Sequence, residues 1–205
     1  MNILAFGAHP DDIELGCAGT LLKYAKQGSN VYLCVLSSGS EAGDAVTREH
    51  EQEEAAKKLG VKELIWGHCE DTKISVNKNN ISFIESVLQK IKPDEVYVNY
   101  YDDTHQDHRA LAQCVISATR YTQRVIYYED YTSNNFIPDI FVDIGEIIEE
   151  KIRIIESFKS QISRSFPSEL NMIESIRAVA HFRGFQGRTK YAEGFKALRY
   201  LKHLE

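Results

Sequence analysis

Two short segments combine imidazoles and carboxylates at spacings that suit a metal centre. Residues 9–12 read His-Pro-Asp-Asp, and residues 105–108 read His-Gln-Asp-His. His9 and Asp12 lie three residues apart across a turn, close enough to bind one ion. A divalent cation would also relieve the repulsion between the two adjacent carboxylates. Asp11 would then point elsewhere and stay free for proton transfer.

The second segment is expected to supply the third ligand. His108 would complete a His-Asp-His set, and three protein ligands with an open position are typical of catalytic zinc sites. His105 would stand beside the site without binding the metal. Each segment alone also fits a structural interpretation, in which Asp12 or Asp107 simply caps the helix that follows. The two segments together favour a metal centre.

The elements that must position these segments follow from the hydrophobic pattern. Strands are predicted at residues 2–8, 31–36, 64–66, 95–100, 124–128 and 140–142, and helices at 15–27, 47–59, 81–91, 107–119, 147–161 and 168–181. This alternation predicts a single-domain, Rossmann-like three-layer α/β/α fold with a mostly parallel sheet, spanning residues 1–205. Both segments follow strands, so they should meet at the carboxyl edge, where such sheets bind ligands.

Three local details complete the predicted organisation. Thr47 is a plausible N-cap of the second helix, and Asp107 of the helix at 107–119. The tail from Gly184 is Gly-rich and then basic, and residues 196–203 are interpreted as a solvated face. The four cysteines are scattered without a C-x-x-C pair, which favours free thiols.

Composition excludes several classes of protein. The chain of 205 residues carries 24 Lys and Arg against 30 Asp and Glu, a net charge of −6. No basic stripe for nucleic acid is present, and no apolar run approaches the roughly 18 residues that a membrane span needs. The sequence begins directly with an apolar strand rather than a basic segment and a cleavable apolar run. We therefore expect a cytoplasmic protein that binds neither nucleic acid nor membrane.

The two segments resemble the signature motifs of the LmbE-like/PIG-L superfamily of metal-dependent N-deacetylases. Residues 8–12, followed by Glu14, Gly16, Gly19 and Thr20, are similar to its first motif, and residues 105–109 to its H-x-D-H motif. Similarity extends through residues 48–60, 159–161, 183–187 and 191–193. The chain departs from the pattern at Gln106, Ala18 and Thr72.

The resemblance implies a role for each central residue. His9, Asp12 and His108 fall on the metal ligands, Asp11 on the general base, and His105 on the residue that stabilises the oxyanion in its protonated form. One divalent metal per chain is implied, zinc or alternatively iron. Asp107 would orient a neighbouring imidazole, unless it is only an N-cap.

The resemblance also implies a substrate class. We expect removal of the N-acetyl group from an amino sugar or its conjugate, such as an N-acetylglucosaminyl compound, by a homo-oligomer that is commonly a hexamer among relatives. Arg48 matches a substrate-binding arginine or is a solvated helix residue, and substrate roles for Asp71, Tyr128 and Arg183 stay open. The alternatives are a metal-dependent amidase acting on a non-sugar acyl group and a non-catalytic metal- or nucleotide-binding domain.

Overall fold

Seven strands and seven helices make up the part of the chain that the computed structural model describes, residues 1–162 and 171–202. The strands are β1 (Asn2–Gly7), β2 (Asn30–Ser37), β3 (Glu63–Cys69), β4 (Glu95–Asn99), β5 (Arg124–Tyr128), β6 (Ile140–Asp143) and β7 (Ala192–Tyr200). The helices are α1 (Asp12–Lys26), α2 (Ala45–Leu59), α3 (Lys78–Ile91), α4 (Gln106–Ala118), α5 (Ile148–Ile155), α6 (Lys159–Ile162) and α7 (Met172–Gly187).

One sheet holds all seven strands, in the order β3-β2-β1-β4-β5-β7-β6. The strands β1 to β5 pair in parallel, whereas β7 runs antiparallel to both β5 and β6. The chain moves outward from β1 through β2 to β3 and then returns to β4 on the other side of β1. This reversal opens a crevice at the carboxyl ends of β1 and β4, the usual ligand site of such sheets.

Helices cover both faces of the sheet, which confirms the predicted three-layer α/β/α class. One face packs β-strand residues such as Ile3 and Leu33 against α1, α2 and α5. The other face packs residues such as Leu4 and Val98 against α3 and α4. The central strands are buried on both sides and are therefore almost continuously apolar, as parallel strands usually are. This rigid frame fixes where β1 and β4 end.

The C-terminal strand β7 is a feature that the sequence pattern does not predict. Residues 196–200 belong to this strand, which lies between β5 and β6, and residues 198–202 of the predicted solvated face are exposed. Its buried half runs from Ala192 to Phe195, while its last residues are exposed. Because the mixed polarity lacks a strict alternation along the whole strand, its partners rather than its own pattern define it.

Two predicted helix N-caps are wrong by a few residues. The helix α2 begins at Ala45, and Asp44 is its cap, since Oδ2 of Asp44 accepts the N–H of Thr47 at 2.8 Å. In α4 the cap is His105, because its Nδ1 accepts the N–H of Asp107 at 3.2 Å. A cap accepts from a donor two or three residues further on. Asp107 is therefore released from capping.

Helix boundaries differ from the predictions at three further places. The first helix starts at Asp12 rather than residue 15, so Asp12 and Glu14 lie in its first turn. The predicted helix at 147–161 is two helices, because a tight turn after Ile155 interrupts it. The helix α7 extends to Gly187, and residues 168–170 of its predicted span lie outside the described residues.

Two other features concern the chain as a whole. All four cysteines are free thiols, as predicted. In the described ranges, no helix combines the length and apolar character that crossing a bilayer requires.

Candidate metal centre and active site

Asp12 joins the two sequence segments at the carboxyl edge of the sheet. Its Oδ2 lies 3.6 Å from Nδ1 of His9 and 3.3 Å from Nε2 of His108. The same oxygen accepts the backbone N–H groups of Ala8 and His9, both at 2.9 Å, which locks the carboxylate onto the end of β1. The structure thus brings together the three side chains that the sequence selects as metal ligands.

Two carboxylates contact Nε2 of His9, the ring nitrogen opposite the one that faces Asp12. Its Nε2 lies 3.1 Å from Oδ1 of Asp71 and 3.2 Å from Oδ2 of Asp107. Asp71 follows β3 and Asp107 lies in the first turn of α4, so the ring is fixed from two separate elements. Carboxylates that bond the second nitrogen of a ligating histidine orient the ring and raise its basicity.

Asp103 contacts the ring of His108 in a similar way. Oδ2 of Asp103 lies 3.3 Å from Nδ1 of His108. The same carboxylate accepts the hydroxyls of Thr132 and Ser133 and the backbone N–H of His105. Asp103 therefore ties the loop after β4 to the loop after β5 and also contacts the His108 ring.

Three overlapping groups of ligand atoms, each within 4.8 Å, can hold a cation in the described part of the chain. The groups are His9 with His105 and His108, His9 with Asp71 and Asp107, and Asp12 with His108 and Asp130. The predicted set His9, Asp12 and His108 is spread across them, and Asp12 contacts both histidines. Buried imidazole nitrogens beside a carboxylate oxygen suit zinc or iron.

Asp11 turns away from this cluster. Its φ of 93° places it in the left-handed region, which is a strained conformation for a non-glycine residue. Although it precedes α1, its side chain makes no capping hydrogen bond. Instead Oδ2 lies 3.5 Å from Nη2 of Arg48. The Asp11 carboxylate therefore takes part neither in capping nor in the contact between His9 and Asp12.

A buried chain of polar groups holds the Asp11 backbone. The N–H of Asp11 donates to Oε1 of Gln52 at 3.2 Å, and Nε2 of Gln52 donates to Oε1 of Glu14 at 2.7 Å. Arg48 adds hydrogen bonds to the carbonyls of Pro10 and Gly39, at 2.7 and 2.9 Å. Such contacts supply the restraint that a strained backbone requires.

His105 stands beside both His9 and His108. Its ring centroid lies 4.7 Å from that of His9 and 4.8 Å from that of His108. Because Nδ1 accepts the Asp107 N–H, the neutral ring carries its proton on Nε2. Partial burial and the neighbouring imidazoles lower the pKa of His105. Nε2 is thus the nitrogen of His105 that can donate to a group in the cavity.

The carboxylates dominate the electrostatics of the cluster. Burial disfavours the charged form of His9, but hydrogen bonds to three carboxylates outweigh burial and raise its pKa to about 12. Burial also disfavours the charged form of His108, but nearby carboxylates, above all the charge of Asp12, outweigh it and raise the pKa of His108 to about 11. The two imidazoles in turn hold the pKa of Asp12 well below its usual range despite burial. Burial raises the pKa of Asp11, and the charge of Arg48 only partly offsets this.

The cluster opens into a cavity of about 800 Å³. Arg48, Asp71 and Asp11 line it together with the predicted ligands, so the position of Arg48 in a buried helix turn is not that of a solvated residue. Tyr128 is absent from the lining, because its hydroxyl donates to the Phe6 carbonyl in the core. Arg183 is also absent, since it pairs with Glu129 at the rim.

Sequence reasoning missed two acids of the site, Asp103 and Asp130. Asp130 is buried and shares a potential ligand group with Asp12 and His108, and burial raises its pKa to about 7. Asp103 follows β4 and Asp130 follows β5. Because acidic residues at the ends of neighbouring parallel strands lie near one edge of the sheet, their positions could have indicated a place in the site. What the pattern could not show is which way each loop folds over the edge.

Comparisons with known proteins agree with this geometry. The family model described as PIG-L, GlcNAc-PI de-N-acetylase, matches residues 4–119. The uncharacterized deacetylase YaiS of Escherichia coli (strain K12) is 34% identical over 153 residues, covering 71% of this chain and 83% of that protein. The diacetylchitobiose deacetylase of Thermococcus kodakarensis is 27% identical, covering 95% and 82%. The solved N,N'-diacetylchitobiose deacetylase of Pyrococcus horikoshii superimposes with a TM-score of 0.83 at 25% identity, covering 96% of this chain and 83% of that one.

Proposed function

The chain belongs to the PIG-L family of de-N-acetylases and is a deacetylase, and we propose that it is a metal-dependent hydrolase that removes the N-acetyl group from an amino sugar or its conjugate. One observation carries this proposal. Asp12 contacts both His9 and His108, while the adjacent carboxylate of Asp11 is directed toward Arg48. A site built only to bind metal would not need that second, uncommitted carboxylate.

His9, Asp12 and His108 would hold the cation, and zinc suits this set of two imidazoles and one carboxylate. A divalent metal there supplies a Lewis acid that polarises an amide carbonyl and makes water a stronger acid. Asp71, Asp107 and Asp103 keep the two imidazoles oriented from behind. The donor set is complete within the buried cluster.

Asp11 acts as general base and then as general acid. It removes a proton from the attacking water and returns one to the departing amine. Without that proton the amine would have to leave as an amide anion, which is a poor leaving group. Its raised pKa suits both transfers. Arg48 and Gln52 keep the carboxylate in place throughout, through the contacts to its side chain and its backbone.

His105 donates to the oxygen that gains negative charge when water adds to the amide carbonyl. Its Nδ1 is occupied by the Asp107 N–H, so Nε2 is the nitrogen that donates. A pre-positioned donor of this kind contributes roughly 3 to 4 kcal/mol in comparable oxyanion holes. Arg48 is placed in the lining to contact the substrate as well as Asp11.

An amino-sugar substrate is supported by the names of two relatives, both of which are deacetylases of diacetylchitobiose. Release of a free amine from N-acetylglucosamine and its glycosides, using zinc-loaded protein, tests this. The Asp11→Asn variant provides the matched comparison, with zinc content measured on both proteins. We expect zinc retention and a loss of kcat of about 10²–10⁴-fold, the usual contribution of a general acid–base group.

Two results would contradict the proposal. Full activity in Asp11→Asn would show that Asp11 is not the general base. Amine release from simple N-acyl amides but from no N-acetyl sugar would instead identify an amidase for non-sugar substrates.

A further inference from the structure

The cavity that contains the histidine and carboxylate cluster also has an apolar wall. We name it the α7 wall and define it by six apolar residues that line the cavity: Leu15, Ile162, Met172, Ile176, Val179 and Ala180. Four of them lie on α7, at spacings of three and four residues that place them on one helix face. The α7 residues that line the cavity include no charged side chain, and Ser175 is the polar one among them.

Two residues of the α7 wall are anchored in the hydrophobic core. Leu15 and Ile176 are buried in one hydrophobic cluster with Ile152 and Ile155 of α5. Val179, in contrast, remains 44% exposed at the open side. Val179 therefore presents apolar surface at the cavity that the described residues leave exposed.

The buried charges near this wall are already paired. Lys151 lies in the lining, but its Nζ donates to the Leu15 carbonyl and to Glu193, both at 2.7 Å. Glu193 also accepts the N–H groups of Gly19 and Thr20. Neither side chain is available to recognise a polar substrate group, so the surroundings of the wall favour an apolar partner.

The volume of the cavity also favours a substrate with an apolar part. A volume of about 800 Å³ lies in the upper part of the range for pockets that enclose drug-sized ligands. An N-acetyl amino sugar positioned at His9, Asp12 and His108 is smaller than this volume and would fill only part of it. Apolar surface in the same cavity as the reacting groups is most simply explained by a further part of the same substrate.

We propose that the α7 wall binds an apolar substituent, an alkyl or aryl group, carried by the N-acylated amino sugar that this enzyme hydrolyses. The inference rests on the proposed function and specifies its substrate class. The substituent reaches the wall from either of two attachment points, the glycosidic oxygen or the acyl group. Val179 is the position at which the substituent enters, since it lies at the exposed side of the wall.

Kinetics with three substrates test the proposal: methyl and octyl glycosides of N-acetylglucosamine, and the methyl glycoside of N-octanoylglucosamine. Each buried methylene is worth roughly fourfold in affinity, so we expect kcat/KM for one octyl compound to exceed that of the N-acetyl methyl glycoside by at least about tenfold. The compound with the advantage identifies the attachment point. Val179→Asp should abolish the advantage, whereas Phe185→Asp, at an exposed α7 position outside the lining, should preserve it.

A binding measurement separates this proposal from the proposed function. The same three compounds are titrated calorimetrically into zinc-loaded Asp11→Asn protein, with and without Val179→Asp. Tighter binding of an octyl compound that depends on Val179 supports the α7 wall even if no hydrolysis occurs, in which case the proposed function alone fails. Equal binding of all three compounds, or an octyl advantage that survives Val179→Asp, overturns the wall proposal.

Discussion

Nδ1 of His108 lies 3.3 Å from Oδ2 of Asp103, so the acid that joins the loops after β4 and β5 also contacts the ring of a proposed metal ligand. Asp103 is 2% exposed and its two oxygens accept from three donors besides facing the ring. The opposite nitrogen of His108 faces Asp12. The ring is thereby held between two carboxylates, one for the metal side and one for the loop side.

Replacing Asp103 with Asn is expected to weaken zinc binding by about 10–100-fold, because the ring loses the carboxylate that orients it and raises its basicity. The dissociation constant for zinc, measured by competition with a chelator, provides the readout. Asp102→Asn is the matched control, since Asp102 contacts Asn134 and Asn135 at the surface. Unchanged affinity in Asp103→Asn would assign Asp103 to loop structure alone.

Zinc affinity is expected to rise with pH. The raised pKa values of His9 and His108, about 12 and about 11, mean that both rings carry protons in the metal-free protein at neutral pH. A metal must displace these protons, so acid favours the metal-free form. Titrations at pH 6, 7 and 8 in buffers of different ionisation enthalpy measure both affinity and proton release. Affinity that is flat across this range would exclude protonated rings in the metal-free site.

Arg48→Lys is expected to lower kcat at least about tenfold while zinc content stays unchanged. Lysine keeps the charge but lacks the planar fork that reaches the Pro10 and Gly39 carbonyls together. The Asp11 turn should then relax from its strained conformation. Arg177→Lys, in an exposed ion pair with Glu149, serves as the control and should leave kcat intact. Loss of zinc in Arg48→Lys would instead place the defect in the metal centre.

Lys151→Met is expected to destabilise the fold by about 3–5 kcal/mol, because it leaves the Glu193 carboxylate buried without its counter-charge. Both side chains of this pair are 3% exposed. Urea denaturation measures the free energy of unfolding. Lys26→Met, which breaks the exposed pair with Glu150, should cost about 1 kcal/mol or less. Equal costs in the two variants would show that burial does not strengthen the Lys151–Glu193 pair.

The strand–helix alternation was predictable because buried parallel strands and amphipathic helices leave strong local patterns. The predicted strand at residues 124–128 coincides with β5, and the other strands before it agree within a few residues. Caps were less predictable, since a cap depends on which side chain reaches a free N–H. His105 takes that position in α4 through a ring nitrogen, a donor–acceptor geometry that composition does not reveal.

By itself, the sequence determined the fold class, the sheet edge at which the site forms, and the segments that carry His9, Asp12 and His108. These properties follow from hydrophobic periodicity and from motif spacing, both of which are local. Only the tertiary structure decided that Asp11 turns to Arg48, that Asp71 and Asp103 contact the two imidazoles, and that β7 lies between β5 and β6. Most of those relationships join residues far apart in the chain, and the short-range one, between Asp103 and His108, depends like the others on how the loops pack over the strand ends.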